Sequence, residues 1–367
     1  MPVAGTPPSV SKFHPLTVVR VENETRDAVA VTFAVPPELK DAFSFTQGQH
    51  LTLRARIGGD DLRRSYSICS AVQDDQLRIA IKRAPGGVFS AWANETLKAG
   101  VVVDVMPPMG HFNTPLAAGN HKRYLAFAAG SGITPLMSII KTTLLAEPHS
   151  EFTLFYGNRA SSAVIFKEEL AELKDAYLTR FNLVYVMSRE QHDIELFNGR
   201  ITREKCDEMF RHWVSPADFD VAFVCGPDGM MRAVSAALQA HGMPKANIRI
   251  ELFAASIPKH EHVTHARPVV GRQECEVTLI IDGRHLSFTM EKDKESLLDA
   301  GLKQGIDMRY SCRGGVCSTC RAKVVEGKVD MDVNFALEDY EIARGFVLTC
   351  QSFPATDKVV VDFDQDS

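Results

Sequence analysis

Several features are missing from this chain of 367 residues, and each absence argues against a class of protein. No uninterrupted apolar run is long enough to cross a membrane, so a membrane-spanning protein is not expected. The first eight residues lack the basic region and apolar core of a secretory signal peptide, and we therefore expect a cytoplasmic location. The net charge is -5 and no basic stripe emerges, which gives no reason to expect nucleic acid as a partner.

Internal repeats and low-complexity segments are also missing. The composition that remains, 45% hydrophobic and 24% charged residues, is that of a soluble globular protein. Because 367 residues exceed one ordinary hydrophobic core, we expect two or three domains. Changes in the pattern of apolar, turn and charged residues along the chain predict domains at 1–116, 117–255 and 273–367, with a linker at 256–272.

The eight cysteines show no disulfide-like framework, but four of them form a metal-binding pattern. Three stand in a CxxxxCxxC run and a fourth follows at a distance, which is the thiolate spacing of a plant-type [2Fe-2S] cluster. The four are Cys312, Cys317, Cys320 and Cys350. Gly314 and Gly315 would let the backbone approach inorganic sulfur. Four unrelated buried cysteines, or a zinc site, are the alternatives, although structural zinc sites favour paired CxxC-like spacings.

The first third of the chain predicts an antiparallel β-barrel, because short β-branched or alternating runs are separated by turn residues. The runs are Leu16 to Val21, Val29 to Val35, His50 to Ile57 and Gln76 to Lys82. Gly86 and Gly87 form a turn before a helix predicted at Ala91 to Leu97, with Ser90 as its N-cap. Main-chain amides at such a helix start suit a pyrophosphate, whereas the plain alternative is a turn without a ligand.

Two motifs in this region resemble the flavin domain of the ferredoxin-NADP reductase superfamily. They are the RxYS run Arg64-Ser65-Tyr66-Ser67 and the run Gly87-Val88-Phe89-Ser90. By that resemblance Arg64 would pair with the FAD pyrophosphate, Tyr66 would lie against the isoalloxazine ring, and Ser67 would hydrogen-bond near flavin N5. A guanidinium, an aromatic plane and a hydroxyl suit these roles.

Two basic residues stand at the end of the run from Gln76 to Lys82. Lys82 and Arg83 either reach the ribityl or phosphate portion of the flavin or are solvated strand charges.

The middle third begins with a continuous apolar run, Arg123 to Ala129, that predicts a buried parallel strand. A glycine turn follows, Gly130-Ser131-Gly132-Ile133-Thr134-Pro135, and then a helix predicted at Leu136 to Leu145. The third glycine of the GxGxxG dinucleotide fingerprint is missing. The turn instead resembles the GxGITP turn of the same reductase superfamily, in which Thr134 would sit beside the nicotinamide and flavin rings. A glycine turn without a ligand is the alternative.

Strand and helix patterns continue to alternate, which predicts a doubly wound parallel sheet. The strands are Phe152 to Tyr156, Phe181 to Met187, Val221 to Val224 and Ile248 to Phe253, and the helices are Phe166 to Ala176, Arg203 to His212 and Met230 to His241. Ligands bind such sheets in the loops that follow the strands.

Cys225, Gly226 and Pro227 occupy one of these loops and resemble the superfamily's CGP motif. The resemblance places Cys225 near nicotinamide C4 and flavin N5, where a small polarizable side chain acts as a spacer rather than as a nucleophile. Phe253 either covers the flavin or is an apolar strand residue.

The loop after the second strand bears on nucleotide preference. An acid there would bind the 2'-hydroxyl of NAD, but the loop has none. Arg159, Ser161 and Ser162 could instead hold the 2'-phosphate, so we expect NADPH, with NADH as the alternative.

The last third predicts a compact α+β domain that resembles the β-grasp fold of plant-type ferredoxins. A hairpin, Glu274 to Ile281 and His285 to Met290, precedes an amphipathic helix at Ser296 to Gln304. The segment before this domain has no hydrophobic period, which is typical of a solvated linker. Its three histidines suggest a metal site only weakly, since no cysteine is near; they are His260, His262 and His265.

The order flavin, nucleotide, ferredoxin resembles the reductase components of multicomponent oxygenases over nearly the whole chain. Two longer strings, Val105 to Phe112 and Glu341 to Ser352, resemble the reductase subunits of phenylacetyl-CoA epoxidase in particular. The resemblance implies an oxidoreductase with NADPH, FAD and [2Fe-2S], whose partner is a di-iron oxygenase.

Two alternatives remain. One is the reductase of a Rieske-type or steroid ring hydroxylase, and the other is an electron carrier or redox sensor without turnover. Arg309, Arg313 and the segment from Asp330 to Glu341 are candidates for the surface that meets the partner.

Overall fold

The computed structural model describes residues 13–253 and 273–365. Residues 13–62 and 66–252 form one compact unit, and residues 273–365 belong to a second. The histidines predicted to lie in a linker fall outside the described residues. No helix in the two described ranges is long and apolar enough to cross a membrane.

The first part of the larger unit is a six-stranded antiparallel sheet in the order β4-β3-β6-β1-β2-β5. Its strands are β1 (His14–Thr25), β2 (Ala28–Ala34), β3 (His50–Ile57), β4 (Asp60–Ser67), β5 (Leu77–Lys82) and β6 (Val102–Val105). Just after β4, Ile68 pairs with Ile79 of β5, so the two ends of the sheet meet. The curled sheet encloses an apolar core and is the predicted barrel. Helix α1 (Val88–Thr96) follows β5.

The second part is a five-stranded parallel sheet in the order β11-β10-β7-β8-β9. Its strands are β7 (Arg123–Ala129), β8 (Glu151–Asn158), β9 (Phe181–Met187), β10 (Val221–Cys225) and β11 (Ile248–Glu251), and its helices are α2 (Ile133–Ala146), α3 (Lys167–Ala176), α4 (Arg203–His212) and α5 (Asp228–Ala240). The chain winds outward from β7 in both directions, which is the doubly wound topology predicted. The point where winding reverses lies between β7 and β10, where such folds bind ligands.

The smaller unit has a mixed five-stranded sheet in the order β13-β12-β18-β14-β16, with a two-stranded sheet β15-β17 beside it. Its elements are β12 (Glu274–Ile281), β13 (Arg284–Glu291), α6 (Leu297–Lys303), β14 (Arg321–Glu326), β15 (Val329–Met331), α7 (Asp339–Ala343), β16 (Phe346–Leu348), β17 (Ser352–Pro354) and β18 (Lys358–Asp362). The hairpin of β12 and β13 and the helix α6 lie where the sequence predicts them. Ser296 caps α6 by accepting a hydrogen bond from the Asp299 N–H.

Several predicted boundaries are wrong, and helix α2 begins at Ile133 rather than at the predicted Leu136. Helix α1 begins at Val88 rather than Ala91, so Ser90 lies inside the helix and Gly87 occupies the N-cap position. The hydroxyl of Ser90 accepts a hydrogen bond from the Ala84 N–H and thereby secures the preceding turn. The last strand of the parallel sheet ends at Glu251, which leaves Phe253 outside it.

Candidate functional site

The RxYS motif lies along β4, whose alternation separates its side chains. Arg64 is exposed and donates a hydrogen bond to the main-chain oxygen of Arg63. Tyr66 is partly buried, with its ring centroid 5.9 Å from that of Phe89. Ser67 is buried. The strand thus offers an outward guanidinium, an aromatic face and an inward hydroxyl in four consecutive residues, which fits a dinucleotide that runs from solvent into the barrel edge.

The start of α1 places the second flavin motif next to the first. Gly86 has a φ of +70°, which lets the chain turn into the helix without strain. Val88 is exposed, whereas Phe89 is buried and packs against Tyr66 and Trp92. The side chain of Phe89 is therefore part of the barrel core and is not available to the flavin phosphates.

The two basic residues at the end of β5 already have acidic neighbours. Lys82 lies 3.8 Å from a carboxylate oxygen of Asp27, and Arg83 forms an ion pair with Glu95. Such contacts are expected of solvated strand charges, and the flavin role of the two residues stays a prediction.

Gly132 and Cys225 meet at the reversal point of the parallel sheet. β10 pairs with β7 so that Cys225 stands opposite Ala128, shortly before the glycine turn. A Cβ atom on Gly132 would lie 2.1 Å from the main-chain oxygen of Cys225. Glycine at this position is therefore required for the GxGITP and CGP motifs to approach each other.

Thr134 and Cys225 are both buried beside this contact. The Thr134 hydroxyl donates to the main-chain oxygen of Ser131, so it is held within its own turn. Burial raises the pKa of the Cys225 thiol well above its ordinary value, and the carboxyl of Glu251 acts in the same direction. A cysteine nucleophile reacts as the thiolate, so a raised pKa is unfavourable for that role, and the spacer role of Cys225 stays a prediction.

Glu251 is a site residue that sequence reasoning missed. It ends β11 in register with Cys225, and its Oε2 accepts a hydrogen bond of 3.2 Å from the Ser67 hydroxyl. Burial raises the pKa of Glu251 to about 8, and the Ser67 hydrogen bond opposes that rise only in part. A carboxyl group at the carboxyl end of a strand in this sheet was the available signal.

The loop after β8 differs from the sequence interpretation in one respect. Arg159 is exposed as expected for a phosphate ligand. An acid nevertheless stands beside the loop, because Glu190, from the loop after β9, binds both the N–H and the hydroxyl of Ser161. The loop itself holds no acid, as the sequence indicates, and the preference for NADPH stays a prediction.

The four predicted cluster ligands lie together as two pairs. Hydrogen bonds join the thiols of Cys312 and Cys317 and those of Cys320 and Cys350. The hydrogen bond from Cys317 lowers the pKa of Cys312 to about 7, and the N–H groups of Gly314 and Val316 act in the same direction.

The paired arrangement suits two irons rather than one. A cluster with four thiolates shared between two irons takes its ligands in pairs.

The backbone of the cluster loop is left-handed at three positions. Of the two glycines predicted to relax it, Gly315 has a φ of +74°, whereas the other left-handed residues are Arg313 and Ser318. A Cβ on Gly315 would lie 2.9 Å from the main-chain oxygen of Val333. Non-glycine residues held in this conformation are typical of a loop wrapped around a ligand.

The proposed partner surface includes one residue, Glu341, that is buried and therefore not available to a partner. Glu341 is fully buried and binds Arg321 at 2.5 Å, and Arg309 donates to the main-chain oxygen of Phe363. Arg313 remains half exposed, with Asp299 3.4 Å away.

Three family models match the chain in the order of these sites. They are the oxidoreductase FAD-binding domain at 15–114, the oxidoreductase NAD-binding domain at 127–236 and the 2Fe-2S iron-sulfur cluster binding domain at 279–355. FAD and a [2Fe-2S] cluster are thus the cofactors of this fold, as expected.

Solved structures share this architecture. Phthalate dioxygenase reductase is 23% identical, with a TM-score of 0.57 over 96% of this chain and 98% of its own. An intact type IV self-sufficient cytochrome P450 monooxygenase gives a TM-score of 0.68 at 21% identity; the match covers 95% of this chain but only 41% of that longer protein.

Curated relatives match nearly from end to end. One of the subunits of 1,2-phenylacetyl-CoA epoxidase from Escherichia coli K12 is 46% identical over 97% of this chain and 99% of its own. The ferredoxin reductase component of 3-ketosteroid-9-alpha-monooxygenase from Rhodococcus rhodochrous is 35% identical over 95% and 96%. The chain therefore belongs to the family of FAD- and [2Fe-2S]-containing oxidoreductases that are the reductase components of oxygenases.

Proposed function

We propose that this protein takes electrons from NADPH and delivers them, one at a time, to the di-iron oxygenase subunits of a phenylacetyl-CoA epoxidase-like system. The observation that carries the proposal is the 46% identity to a subunit of that epoxidase across 97% of the chain. The chain also carries the RxYS, GxGITP and CGP motifs and the four cysteines that this chemistry would use.

The residues around the sheet's reversal point position the reactants. FAD, when bound, would supply a two-electron hydride acceptor for the reduced nicotinamide and a one-electron donor to the [2Fe-2S] cluster. Hydride transfer requires close, dry contact more than acid-base chemistry. Gly132 and the thiol of Cys225 leave room for that contact, because neither carries a bulky or ionised side chain.

Ser67 and Glu251 provide a place for a proton beside the same contact. With its pKa raised to about 8, the Glu251 carboxyl keeps its proton at neutral pH, within hydrogen-bond distance of the Ser67 hydroxyl. The protonated pair holds no net charge next to the flavin position, and Glu251 can give its proton to the Ser67 oxygen while the Ser67 hydroxyl gives its own proton to an acceptor at the flavin position, which leaves Glu251 as the carboxylate.

The proposal is tested by reconstitution. The purified protein, loaded with FAD and iron, is mixed with the oxygenase subunits of the Escherichia coli phenylacetyl-CoA epoxidase, NADPH and phenylacetyl-CoA. Epoxide formation that depends on this protein is expected. NADPH oxidation with cytochrome c as acceptor, but no epoxide with these subunits, would retain the reductase chemistry and reject the partner.

A second candidate has its own observation, the 35% identity to the 3-ketosteroid-9-alpha-monooxygenase reductase component. The same assay with that oxygenase and a 3-ketosteroid discriminates the two, because each oxygenase reports its own product. A carrier without turnover is distinguished by negligible cytochrome c reduction by NADPH despite full FAD and iron content.

A further inference from the structure

Two loops leave the edge of the parallel sheet side by side, where the adenosine half of a dinucleotide binds in this topology. β8 and β9 pair in parallel up to Asn158 and Met187. The loops stay together beyond the sheet, because the N–H groups of Ser188 and Arg189 donate to the main-chain oxygens of Asn158 and Arg159, at 2.9 and 2.8 Å. A residue on the second loop can therefore reach the first.

Glu190 makes use of that proximity. Its Oε2 accepts the main-chain N–H of Ser161 at 2.6 Å, and its Oε1 accepts the Ser161 hydroxyl at 2.5 Å. These hydrogen bonds lower the pKa of Glu190, and the nearby His192 and Lys167 lower it further. A carboxylate, ionised at neutral pH, thus engages both donors of Ser161.

A phosphate monoester would use the same two donors. Paired N–H and O–H groups bind the oxygens of either anion by charge-assisted hydrogen bonds. The 2'-phosphate of NADPH would have to displace the Glu190 carboxylate and would also be repelled by it. The 2'-hydroxyl of NADH, in contrast, can donate a hydrogen bond to a carboxylate at this place.

We infer that Glu190 is a specificity residue for the nucleotide: an internal anion that competes with the 2'-phosphate of NADPH for Ser161. Arg159, two residues before Ser161, and Arg189, next to Glu190, are cations of the two loops, whereas Glu190 is the carboxylate that binds Ser161 itself. The inference rests on the proposed function, in which a reduced nicotinamide nucleotide supplies the hydride.

The test compares kcat/KM for NADPH and NADH in the holoprotein and in Glu190→Gln, with cytochrome c as acceptor. Loss of a competing charged hydrogen bond should raise the NADPH-to-NADH ratio by about tenfold. The change should lie in KM, because Glu190 is at the adenosine end, far along the nucleotide from the hydride. Asp193→Asn removes the same charge from an exposed position of the same loop and serves as the matched control.

A second variant distinguishes direct competition from long-range charge. In a Ser161→Ala background one of the two donors is gone, so adding Glu190→Gln should change the ratio less than it does in the wild type. An unchanged ratio in Glu190→Gln, or a shift equal to that of Asp193→Asn, overturns the inference. If neither nucleotide reduces the wild-type flavin, the proposed function fails instead, and the two failures are thereby distinguished.

Discussion

The hydroxyl of Ser67 donates a hydrogen bond of 3.2 Å to Oε2 of Glu251, across 184 residues of sequence. One residue ends a strand of the antiparallel barrel and the other ends the last strand of the parallel sheet. The bond therefore ties the flavin half of the unit to its nucleotide half at the point where hydride transfer is proposed.

The raised pKa of Glu251 predicts a pH dependence of stability. Well below pH 4.5 the carboxyl is protonated in the folded and the unfolded chain, and its contribution is constant. Between about pH 5 and 8 the unfolded chain releases the proton that the folded chain keeps. The free energy of unfolding then falls by about 1.4 kcal/mol per pH unit from this group.

Glu251→Gln removes this dependence, because an amide does not titrate. Urea unfolding of both proteins is monitored by flavin release at pH 5, 6.5 and 8. The free energy of unfolding of the variant should rise relative to that of the wild type as the pH rises. If the free energies of unfolding of the two proteins differ by the same amount at all three pH values, Glu251 ionises normally.

Gly132→Ala should slow flavin reduction by about 10- to 100-fold, since the added Cβ displaces the Cys225 main chain and misplaces the reactants. The measurement is the rate of flavin bleaching by NADPH in a stopped-flow instrument. Gly229→Ala is the control, because this helical glycine has no described atom within 4 Å of an added Cβ. Equal rates in the two variants would remove the argument from close approach.

Gly315→Ala should lose the [2Fe-2S] cluster, whereas Gly305→Ala should keep it. Both glycines have a φ of +74°, so both substitutions cost about 1–2 kcal/mol for the left-handed backbone. Only Gly315→Ala adds a steric overlap, because its Cβ would lie 2.9 Å from the main-chain oxygen of Val333. Iron content and visible absorbance report the outcome; similar loss in both variants would assign the effect to backbone conformation alone.

Arg78 is expected to stabilise the larger unit through a nearly buried ion network. Its guanidinium binds Glu24 at 2.7 Å and Glu169 at 2.8 Å, and Lys141 binds Glu169 and Asp74. Arg78→Met should cost about 3 kcal/mol, because it leaves the Glu24 carboxylate without its cation, whereas Glu169 keeps Lys141.

The control for this network is Arg20→Met. Arg20 is half exposed and lies 3.3 Å from Glu22, so its loss should cost at most about 1 kcal/mol. Chemical unfolding measures both variants, and a cost for Arg78→Met no larger than that of the control would show that the network is not stabilising.

Sequence patterns predicted those parts of the fold that depend on local periodicity. The continuous apolar run predicted β7 from Arg123 to Ala129 with the bounds observed. The helix after Gly87 was predicted three residues late, because the hydroxyl of Ser90 was assigned as a cap when it instead binds the turn before the helix.

The parts that sequence could not predict are contacts between distant loops. Glu190 and Ser161 are 29 residues apart, and their contact follows from the pairing of two strands rather than from any motif. The same holds for Glu251 and Ser67, where the partner of the serine is determined by which strand ends beside Cys225. A sequence motif identifies a residue, whereas the tertiary contacts of that residue depend on the fold.

The most direct test of the proposed electron path is a comparison of two rates in Cys317→Ser and in the wild type. If electrons leave through the cluster, the variant should reduce its flavin with NADPH at the wild-type rate and lose cytochrome c reduction, while retaining full FAD content. Cys350→Ser, from the other ligand pair, should behave alike. Undiminished cytochrome c reduction in either variant without its cluster would contradict the proposed order of electron transfer.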